Sequence, residues 1–486
     1  MQTDFYGLTP GDNDPIETVT LTYGTHERFI PFLRRSDRME QAYAISSDER
    51  WLAHGAETKI DLYDMSSGER VTTLTGHTVT VKSLAFAPGH PDTLVSSAAS
   101  RHIEGAEIIV WDLKEELERP TELERIETEE IARDAVDHIR TSLGNVTSSL
   151  SLGPNDTEVL TTAVRMWLDR FIGRSSLPST ARRLSGHLCT SFQSPVFNNA
   201  GTAFTMLPAR SPPSNGDARW DIRVQHLVSG RKTILTGHRD SIMWIGFSPD
   251  DSLIVSACWD GTFRVWRADT GEQVHVWTTD KQNWTGCFAP DNERFLGTDG
   301  DGKIRVWSLS SGELLWSYER EGEGFMRRWR RFVDWSSDGK YVLVGGEDLG
   351  EILLFEVPSD PSVGPSEAAQ RRVLSLEKTR MDDDVKRMAR GFLNVNSLRF
   401  IFDVEDNDVA FGCSTYIDVG IEFVSLARGK RWRIIPFERT NDDDADYKRL
   451  DRTKEGWPIY PRWSALKESR QVVVISPDGA RFWELT

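Results

Sequence analysis

Cysteine is scarce in this chain of 486 residues. Its four cysteines, Cys189, Cys258, Cys287 and Cys413, lie far apart and form no Cys-x-x-Cys pair. A disulfide framework or a zinc cluster needs more cysteines at closer spacing, so neither is expected. Sparse cysteine usage is typical of a reducing compartment, and we expect the protein in the cytoplasm, the nucleus or both.

Long hydrophobic runs and an excess of positive charge are also missing. No segment approaches the roughly 18 uncharged apolar residues of a membrane span, and the opening stretch "MQTDFYGLTPGDNDP" has no basic region followed by an apolar run. The 58 Lys and Arg residues are outnumbered by 75 Asp and Glu residues, which gives a formal net charge of -17. Because phosphate contacts need a concentrated basic surface, we expect no direct nucleic-acid binding and no membrane association.

The common signatures of catalytic sites are absent as well. The chain contains no Gly-rich phosphate loop, no His-Glu-x-x-His, no Gly-x-Ser-x-Gly and no repeated Asp/His metal spacing. We therefore expect no catalytic residues, no metal and no cofactor. With 38% hydrophobic and 10% aromatic residues, the chain has ample material for a packed core, so a globular protein is expected.

Short strand patterns recur along the chain. Residues 242–268 contain three runs rich in β-branched and aromatic residues, "IMWIGFS", "LIVSAC" and "FRVWRA", separated by the turn-forming "PDD" and "WDG". A fourth run, "EQVHVWTT", follows the turn "DTG". The same order recurs in the next segment, where Trp307 stands 41 residues after Trp266. The pattern predicts an all-β fold built from four-stranded repeats.

A period of about 40 to 45 residues, with Gly-His before the first strand and Trp near the end of the third, is typical of a β-propeller. Gly-His stands at residues 76–77, 186–187 and 237–238, and "VWDL" stands at 110–113. On these residues the sequence resembles the WD40 family, over nearly the whole chain apart from residues 114–180 and the longer loops. The resemblance is specific for the fold and says little about the partner.

Counting the repeats gives eight blades, with seven as the alternative if "QVVVISPDGARFWELT" belongs to a merged last blade. The chain ends on a third strand, and "ERFIPFL" near the N-terminus is a spare fourth strand. Pairing of these two segments is expected to close a propeller of residues 28–486, because closure removes exposed sheet edges. Residues 1–27 are then an N-terminal extension, and residues 358–370, 378–391 and 438–459 are long loops. The eight first strands are expected to begin near "AYAISS", "VKSLAFAP", "TSFQSPVFN", "IMWIGFSP", "NWTGCFAP", "RRFVDWSS", "LNVNSLRFIFD" and "PRWSALKE".

The repeat that starts at Gly237 is the one that carries the family's full pattern. The resemblance implies that four of its residues form a hydrogen-bonded chain that braces the blade and is not a catalytic set. These residues are His238, Ser256, Asp260 and Trp266. Other repeats depart from the pattern: Gln225 replaces the tryptophan in one, and the repeats that end at Phe355 and Phe423 lack Gly-His.

Residues 114–180 interrupt the strand pattern. Two stretches, "PTELERIETEEIARDAVDHIRTSLG" and "NDTEVLTTAVRMWLDRFIG", place apolar residues at a spacing of three and four and predict an α-helical hairpin. The apolar stripe of the second helix either packs on the protein's own surface or sister helix, or docks in a partner's groove. Its candidate surface residues are Val159, Leu160, Val164, Trp167, Leu168 and Phe171.

Residues 319–331, "EREGEGFMRRWRR", concentrate arginine around tryptophan in an acidic chain. If the resemblance holds, this connection lies on the face that usually meets partners. Guanidinium groups bind carboxylates and phosphates and stack on tryptophan, so the cluster is either neutralised by nearby acids or binds an acidic or phosphorylated peptide. The candidates here are Arg327, Arg328, Trp329, Arg330 and Arg331. In four first strands, the residue four before the conserved aromatic is a further face candidate: Lys82, Met243, Trp284 and Arg331.

We therefore predict a non-catalytic scaffold that binds partner proteins or peptides on the propeller face and through the helical insertion. One alternative is a substrate receptor of a cullin-type ubiquitin ligase. It rests on "IIVWDLK", which partly resembles the Trp-Asp-x-basic element of such receptors, with Lys114 where arginine is usual. The other alternative is a propeller enzyme with acid residues in its central channel.

Overall fold

The structure is a computed structural model, and nearly all of what it describes is strand. It describes residues 28–33, 42–99, 106–117, 182–209, 220–319, 329–346, 351–357, 371–375, 395–401, 410–415, 421–425, 430–434, 462–476 and 479–484. Within these ranges one short α-helix, α1 (Leu113–Leu117), and one 3-10 turn (Ser191–Gln193) accompany 31 strands, numbered in chain order. The chain divides into a larger unit, Met1–Glu40 with Leu188–Thr486, and a smaller unit, Gln41–His187.

In the larger unit, the described residues form five four-stranded antiparallel sheets and one three-stranded sheet. The first of the four-stranded sheets has the order β1-β31-β30-β29, and the other sheets run in chain order. The strands are β1 (Arg28–Pro31), β10 (Ala203–Met206), β11 (Ile222–His226), β12 (Lys232–Leu235), β13 (Ile242–Phe247), β14 (Leu253–Cys258), β15 (Thr262–Arg267), β16 (Gln273–Thr278), β17 (Asn283–Phe288), β18 (Arg294–Asp299), β19 (Ile304–Ser308), β20 (Leu314–Tyr318), β21 (Arg330–Trp335), β22 (Tyr341–Gly346), β23 (Glu351–Glu356), β24 (Arg371–Ser375), β25 (Val395–Phe400), β26 (Ala410–Thr415), β27 (Ile421–Ser425), β28 (Lys430–Ile434), β29 (Arg462–Leu466), β30 (Gln471–Ser476) and β31 (Gly479–Glu484).

The smaller unit contains two four-stranded antiparallel sheets within its described residues, each running in chain order. Helix α1 follows directly after the third strand of the second sheet. The strands are β2 (Ala42–Ile45), β3 (Trp51–Ala56), β4 (Lys59–Asp64), β5 (Arg70–Thr75), β6 (Val81–Ala87), β7 (His90–Ala98), β8 (Glu107–Asp112) and β9 (Arg182–Ser185).

Ser and Asp build the turns between the first and second strands of several sheets. The Ser248 hydroxyl donates to the Asp250 carboxylate at 2.6 Å and accepts the Leu253 N–H at 2.9 Å. Ser336 and Asp338 repeat this arrangement at 2.6 Å. Because each side chain satisfies a backbone group of its own turn, these short segments reverse the chain without help from the rest of the protein.

The two ends of the chain meet within one sheet. Strand β1 pairs with β31 in the register Arg28↔Phe482 and Phe29↔Arg481. Each arginine lies over the ring opposite, with guanidinium-to-centroid distances of 4.2 and 4.4 Å. A Cβ on Gly479 would collide with the Ile30 carbonyl oxygen, so this close approach of β1 requires glycine. This N-terminal strand is the fourth strand that the sequence analysis expects for the last repeat.

The three-stranded sheet differs from the expected pattern, since "TSFQSPVFN" does not form a first strand. Residues 191–193 form the 3-10 turn, and a single bridge, Phe197↔Phe204, remains of the pairing with β10. The backbone of Phe192 has φ 49° and ψ 43°, and Gln193 has φ 61°. Two successive residues in the left-handed region cannot continue a strand, which explains the missing pairing.

Apolar residues from neighbouring sheets of the larger unit pack into shared cores. Between the sheets β13–β16 and β17–β20, Trp277 and Trp307 stack at 4.9 Å and 5°, with Phe263 and Phe295 beside them. This mostly-strand architecture, with many four-stranded sheets and almost no helix in the described ranges, fits the β-propeller that the sequence predicts. The number of blades stays a prediction, and the predicted helical hairpin lies outside the described residues, apart from residues 114–117.

Candidate functional site

A β-bulge recurs in the first strand of five sheets. The register shifts between Val81 and Ser83, Ile242 and Trp244, Asn283 and Thr285, Arg330 and Phe332, and Val395 and Ser397. A bulge leaves one residue unpaired and re-aims its side chain. The bulged residues are Lys82, Met243, Trp284, Arg331 and Asn396. The first four are the face candidates of the sequence analysis, so the bulge supplies a structural reason for their shared position in the repeat.

Two of these bulged residues lie at the centre of an aromatic cluster in the larger unit. Trp284 contacts Trp259 at 5.5 Å and Trp329 at 5.2 Å, measured between ring centroids. The guanidinium of Arg331 lies 4.5 Å from the centroid of Trp284 and 4.7 Å from that of Trp329. We call this group the Arg331 cluster; its members are Phe192, Trp259, Trp284, Trp329, Arg331 and Phe332.

Phe192 reaches the cluster from the irregular segment before β10. Its ring lies 5.6 Å from Trp284 and 6.0 Å from Phe332, and 5.8 Å from the Arg331 guanidinium. Serine side chains fix the segment on both sides: Ser191 donates to the Met243 carbonyl at 2.8 Å, and Ser194 bonds both the N–H and the carbonyl of Ile245. Packing and these anchors hold Phe192 in a backbone conformation that is strained for a bulky residue.

The structure places the predicted face residues in different environments. Met243, Trp329 and Arg331 are half-buried in the larger unit, and Lys82 is half-buried in the smaller unit. Trp284 and Arg330 are only 5% and 3% exposed, and Thr298 donates its hydroxyl to the Arg330 carbonyl at 2.5 Å. The sequence predicts that Arg330 and its neighbouring arginines all face a partner. The burial of Arg330 contradicts that prediction for this one residue. Arg327 and Arg328 lie outside the described residues.

The candidate residues of the helical insertion also lie outside the described residues. They are Val159, Leu160, Val164, Trp167, Leu168 and Phe171. Whether their stripe binds a partner or the protein itself stays a prediction.

His238 connects strands of one sheet through a buried hydrogen-bond chain. Its Nδ1 lies 2.9 Å from Asp260 Oδ2, its Nε2 lies 2.6 Å from Ser256 Oγ, and its ring meets Trp266 at 5.6 Å, edge to face. Burial lowers the pKa of His238 despite the neighbouring carboxylate. Burial alone would raise the pKa of Asp260, but hydrogen bonds from His238 and Thr262 outweigh it and hold that pKa well below its usual value. A neutral imidazole thus donates to Asp260 and accepts from Ser256, and every polar atom of the imidazole is engaged in structure.

The smaller unit contains a second hydrogen-bond chain of this kind, which was not predicted from the sequence. His77 lies 2.6 Å from Ser96 Oγ and 3.1 Å from Glu107 Oε1, and Trp111 donates its indole N–H to Ser96 at 2.7 Å. Arg183 pairs with the other oxygen of Glu107. Burial lowers the pKa of His77, as it does for His238. The Gly-His pair at residues 76–77 was the available signal, but the acid does not occupy the position that Asp260 predicts.

His238, Cys258 and Asp260 also form a possible metal-ligand set, since one ligand atom from each lies within 4.8 Å of the others. The three donor atoms are already engaged within the protein. The Cys258 thiol donates to the Asp240 carbonyl at 3.1 Å, and burial raises its pKa to about 12. The imidazole nitrogens already bond Asp260 and Ser256.

Asp334 is an acid of the larger unit whose pKa is raised by its surroundings. It lies on β21 and accepts the Phe400 N–H at 2.7 Å. Burial raises its pKa to about 6, although Arg399 and the backbone N–H groups oppose the shift. Burial, with the Asp334 charge, also raises the pKa of Cys287. A raised carboxyl pKa does not by itself define a catalytic site, and here Asp334 connects β21 with β25.

Within the described residues, no helix is both long and apolar enough to span a membrane. A comparison with curated proteins finds no match. The family model of the WD40 repeat, described as "WD domain, G-beta repeat", matches residues 68–112 and 229–267. The first segment contains His77, Ser96, Glu107 and Trp111, and the second contains the complete His238 chain. The matches of these two segments support assignment to the WD40-repeat family.

Proposed function

We propose that this protein is a non-catalytic platform for protein–protein interactions and that it binds an acidic or phosphorylated segment of a partner at the Arg331 cluster. WD40 domains typically mediate protein interactions and are typically non-enzymatic. The observation that carries the specific proposal is that the Arg331 guanidinium lies over Trp284 and Trp329, 4.5 and 4.7 Å from their ring centroids. Trp284 and Arg331 are themselves the bulged residues of β17 and β21. Tryptophan and arginine are the residues most enriched in interface hot spots.

The half-buried state of the cluster supports the proposal. Ser191 is exposed, while Phe192, Met243, Trp329 and Arg331 are each half-buried. Large side chains that are already ordered by their neighbours lose little conformational entropy when a partner covers them. The cluster therefore combines accessible apolar area, one fixed positive charge and low ordering cost, which suits a peptide anchor.

The test is a comparison of partner capture by matched variants. Purified wild-type chain, the double variant Trp329→Ala/Arg331→Ala and a control, Val228→Ala at a 91% exposed site, are used as baits, and each captured partner is then titrated against all three as purified proteins. We expect the double variant to lose at least one partner by about tenfold or more in affinity, with the control unchanged. Equal affinity of every partner for the three baits would show that this face does not bind.

Three finer predictions belong to the same proposal. We propose that the protein acts in the cytoplasm, the nucleus or both.

The ligase-receptor alternative depends on residues 111–114. In the structure Lys114 pairs with Asp92 at 3.3 Å. Binding of a purified cullin adaptor is the direct test of this alternative. The helical insertion is tested by replacing residues 118–179 with a Gly/Ser linker and repeating the capture experiment.

A further inference from the structure

We infer that the partner segment bound at the Arg331 cluster contains proline next to its acidic or phosphorylated residue. Backbone carbonyl oxygens of this proline-containing stretch accept the indole N–H groups of Trp259 and Trp284. The inference rests on the proposed function and specifies the ligand of the same site. Its basis is a pair of buried donors without acceptors, set among aromatic rings.

Two buried indole N–H groups of the cluster have no acceptor. Among the residues that the structure describes, no hydrogen-bond partner lies within reach of Trp259 Nε1 or Trp284 Nε1, and both atoms are shielded from solvent. Buried donors without a partner are rare in folded proteins, because each loses its hydrogen bond to water and gains nothing in return. The buried Trp277, by contrast, donates to the Gly312 carbonyl at 2.9 Å. A ligand that brings carbonyl oxygens would satisfy both donors of the cluster.

The side chains of the Arg331 cluster contain hydrogen-bond donors but no acceptors. Its three tryptophans and its arginine carry only N–H groups, and its two remaining members are phenylalanines. An ordinary peptide residue brings an N–H donor together with its carbonyl, and that N–H finds no side-chain acceptor among the members of the cluster. Proline brings the carbonyl without the N–H. A segment that contains proline therefore matches the polar chemistry of the cluster.

The rings of the cluster also suit proline. Trp284 contacts Trp259 and Trp329 with interplanar angles of 78° and 41°, and the Phe192 ring meets it at 84°. Sites lined by aromatic rings bind proline-rich segments, which hold an extended conformation without internal hydrogen bonds and so keep their carbonyl groups free to accept. Proline also restricts the unbound segment, so less conformational entropy is lost on binding.

Access to the two indole donors requires movement of a neighbouring side chain, because both Nε1 atoms are shielded. Phe192 is the neighbour that we expect to move. Its ring contacts Trp284 at 5.6 Å, and its backbone and that of Gln193 lie in the left-handed region, at φ 49° and 61°. Such a conformation is costly for a bulky residue and persists only while packing enforces it. Displacement of this ring by proline should therefore cost less than rearrangement of β17 or β21.

The test uses short fluorescein-labelled peptides with equimolar mixtures of residues at the outer positions. The central residue is Glu, phosphoserine or Gln, and its two neighbours are both Pro, both N-methylalanine or both Ala. N-methylalanine lacks the N–H, as proline does, but has no ring, so it separates the missing donor from the packing of the proline ring. Binding to the purified full chain is measured by fluorescence anisotropy.

Matched variants connect the peptide preference to the indole donors. Trp259→Phe and Trp284→Phe each keep a ring and remove one indole N–H. Trp220→Phe is the control, because Trp220 is a half-buried tryptophan of the same unit that packs against apolar residues outside the Arg331 cluster. Arg331→Gln tests the proposed function separately, since it removes a charge and leaves both indoles in place. Thermal melting of each variant confirms that it is folded.

We expect peptides with Pro or N-methylalanine neighbours to bind about tenfold more tightly than those with Ala neighbours. The affinity of the Pro peptides should fall by about tenfold in Trp259→Phe and in Trp284→Phe, and it should stay unchanged in Trp220→Phe.

Two results would overturn the inference: N-methylalanine peptides that bind no more tightly than Ala peptides, or Pro peptides whose affinity both indole variants leave unchanged. In either case, a preference for Glu or phosphoserine over Gln that is lost in Arg331→Gln would leave the proposed function standing. No binding by any peptide would overturn both.

Discussion

The His238 chain in the larger unit and the His77 chain in the smaller unit build the same brace with different acids. Asp260 lies in the turn between β14 and β15, six residues before Trp266, whereas Glu107 is the first residue of β8, four residues before Trp111. The longer side chain of Glu107 still reaches the imidazole at 3.1 Å. Each carboxylate also accepts the backbone N–H that follows its histidine, from Arg239 at 3.0 Å and Thr78 at 3.1 Å. The hydrogen bonds therefore define the brace. The residue spacing of the family's pattern identifies the form with Asp260 but not the form with Glu107.

The second oxygen of each carboxylate distinguishes the two braces. In the larger unit, Thr262 donates its hydroxyl to Asp260 at 2.6 Å. In the smaller unit, Arg183 pairs with Glu107 and also donates to the Gly76 carbonyl at 2.7 Å. One brace thus depends on neutral donors and histidine, while the other has a guanidinium that remains when histidine is removed. This difference predicts unequal sensitivity to mutation.

The largest effect is expected from removal of the histidines. His238→Ala leaves the Asp260 carboxylate and the Ser256 hydroxyl without the imidazole as a hydrogen-bond partner. Because each unsatisfied buried group costs about 1–3 kcal/mol, and a charged one more, we expect a loss of about 3–5 kcal/mol of local stability. His77→Ala should cost roughly 2–3 kcal/mol, because Arg183 still compensates the Glu107 charge. Hydrogen exchange of peptides covering β13–β15 and β6–β8 measures each cost separately.

His90→Ala, at an exposed histidine of the smaller unit, is the control and should leave exchange in both regions unchanged. Equal costs for the two variants, or the reverse order, would show that Arg183 does not substitute for histidine.

Substitution of the serine in each brace should cost less stability than His238→Ala. Here the larger cost is expected in the smaller unit. Ser96 bonds both His77 and the indole N–H of the buried Trp111, so Ser96→Ala leaves two buried groups without a partner and should cost about 2–3 kcal/mol. Ser256→Ala removes the 2.6 Å contact with His238 and should cost about 1 kcal/mol. Hydrogen exchange at increasing urea concentration follows the unfolding of each unit. The change in the unfolding of each unit between wild type and variant gives the two costs. Ser311→Ala, in an exposed turn, supplies the baseline, and a larger loss for Ser256→Ala than for Ser96→Ala would contradict the assignment.

The sequence predicts the fold far better than it predicts the site. Strand periodicity and turn residues are local signals, and the turn chemistry of Ser248 and Asp250 acts within six residues, so repeats such as 242–268 can be read directly. The segment 189–198 is different. Its apolar pattern favours a strand, but the left-handed backbone of Phe192 and Gln193 depends on anchors more than 50 residues away on β13, and no local pattern encodes them.

The residues of the Arg331 cluster also could be predicted only in part from the sequence. Repeat alignment identifies Arg331, Trp284 and Met243 as equivalent positions, and the structure shows β-bulges at all three. Alignment does not reveal burial, so it treats Arg330 and Arg331 alike. Arg330 is buried, whereas Arg331 is half-buried and lies over the rings of Trp284 and Trp329. Trp259 and Phe192 were missed because Trp259 joins the cluster from the turn between β14 and β15, and Phe192 joins it from the 3-10 turn. Only the three-dimensional structure shows that the indole N–H of Trp259 has no hydrogen-bond partner among the described residues.

The smallest expected effect is the pH dependence of the two braces. Burial lowers the pKa of His77 and His238 below the usual 6.5, so the unfolded chain binds more protons than the folded chain below that pH. The stability from each neutral histidine is complete above pH 6.5 and is lost as the pH falls. Asp334 has the opposite sign: its folded pKa is raised to about 6, so its contribution is present at low pH and is lost as the pH rises through 6.

Asp334 belongs to the larger unit, and so its titration offsets that of His238 in the same pH window. Between pH 7.5 and 5.5, hydrogen exchange should show a steeper loss of stability in β6–β8 than in β13–β15 of the wild-type chain. Asp334→Asn removes the offset and should bring the larger unit to the slope of the smaller one, while His77→Asn should flatten the slope of the smaller unit alone. If Asp334→Asn leaves the slope of β13–β15 unchanged, the carboxyl does not titrate in this range, and the two braces differ for another reason.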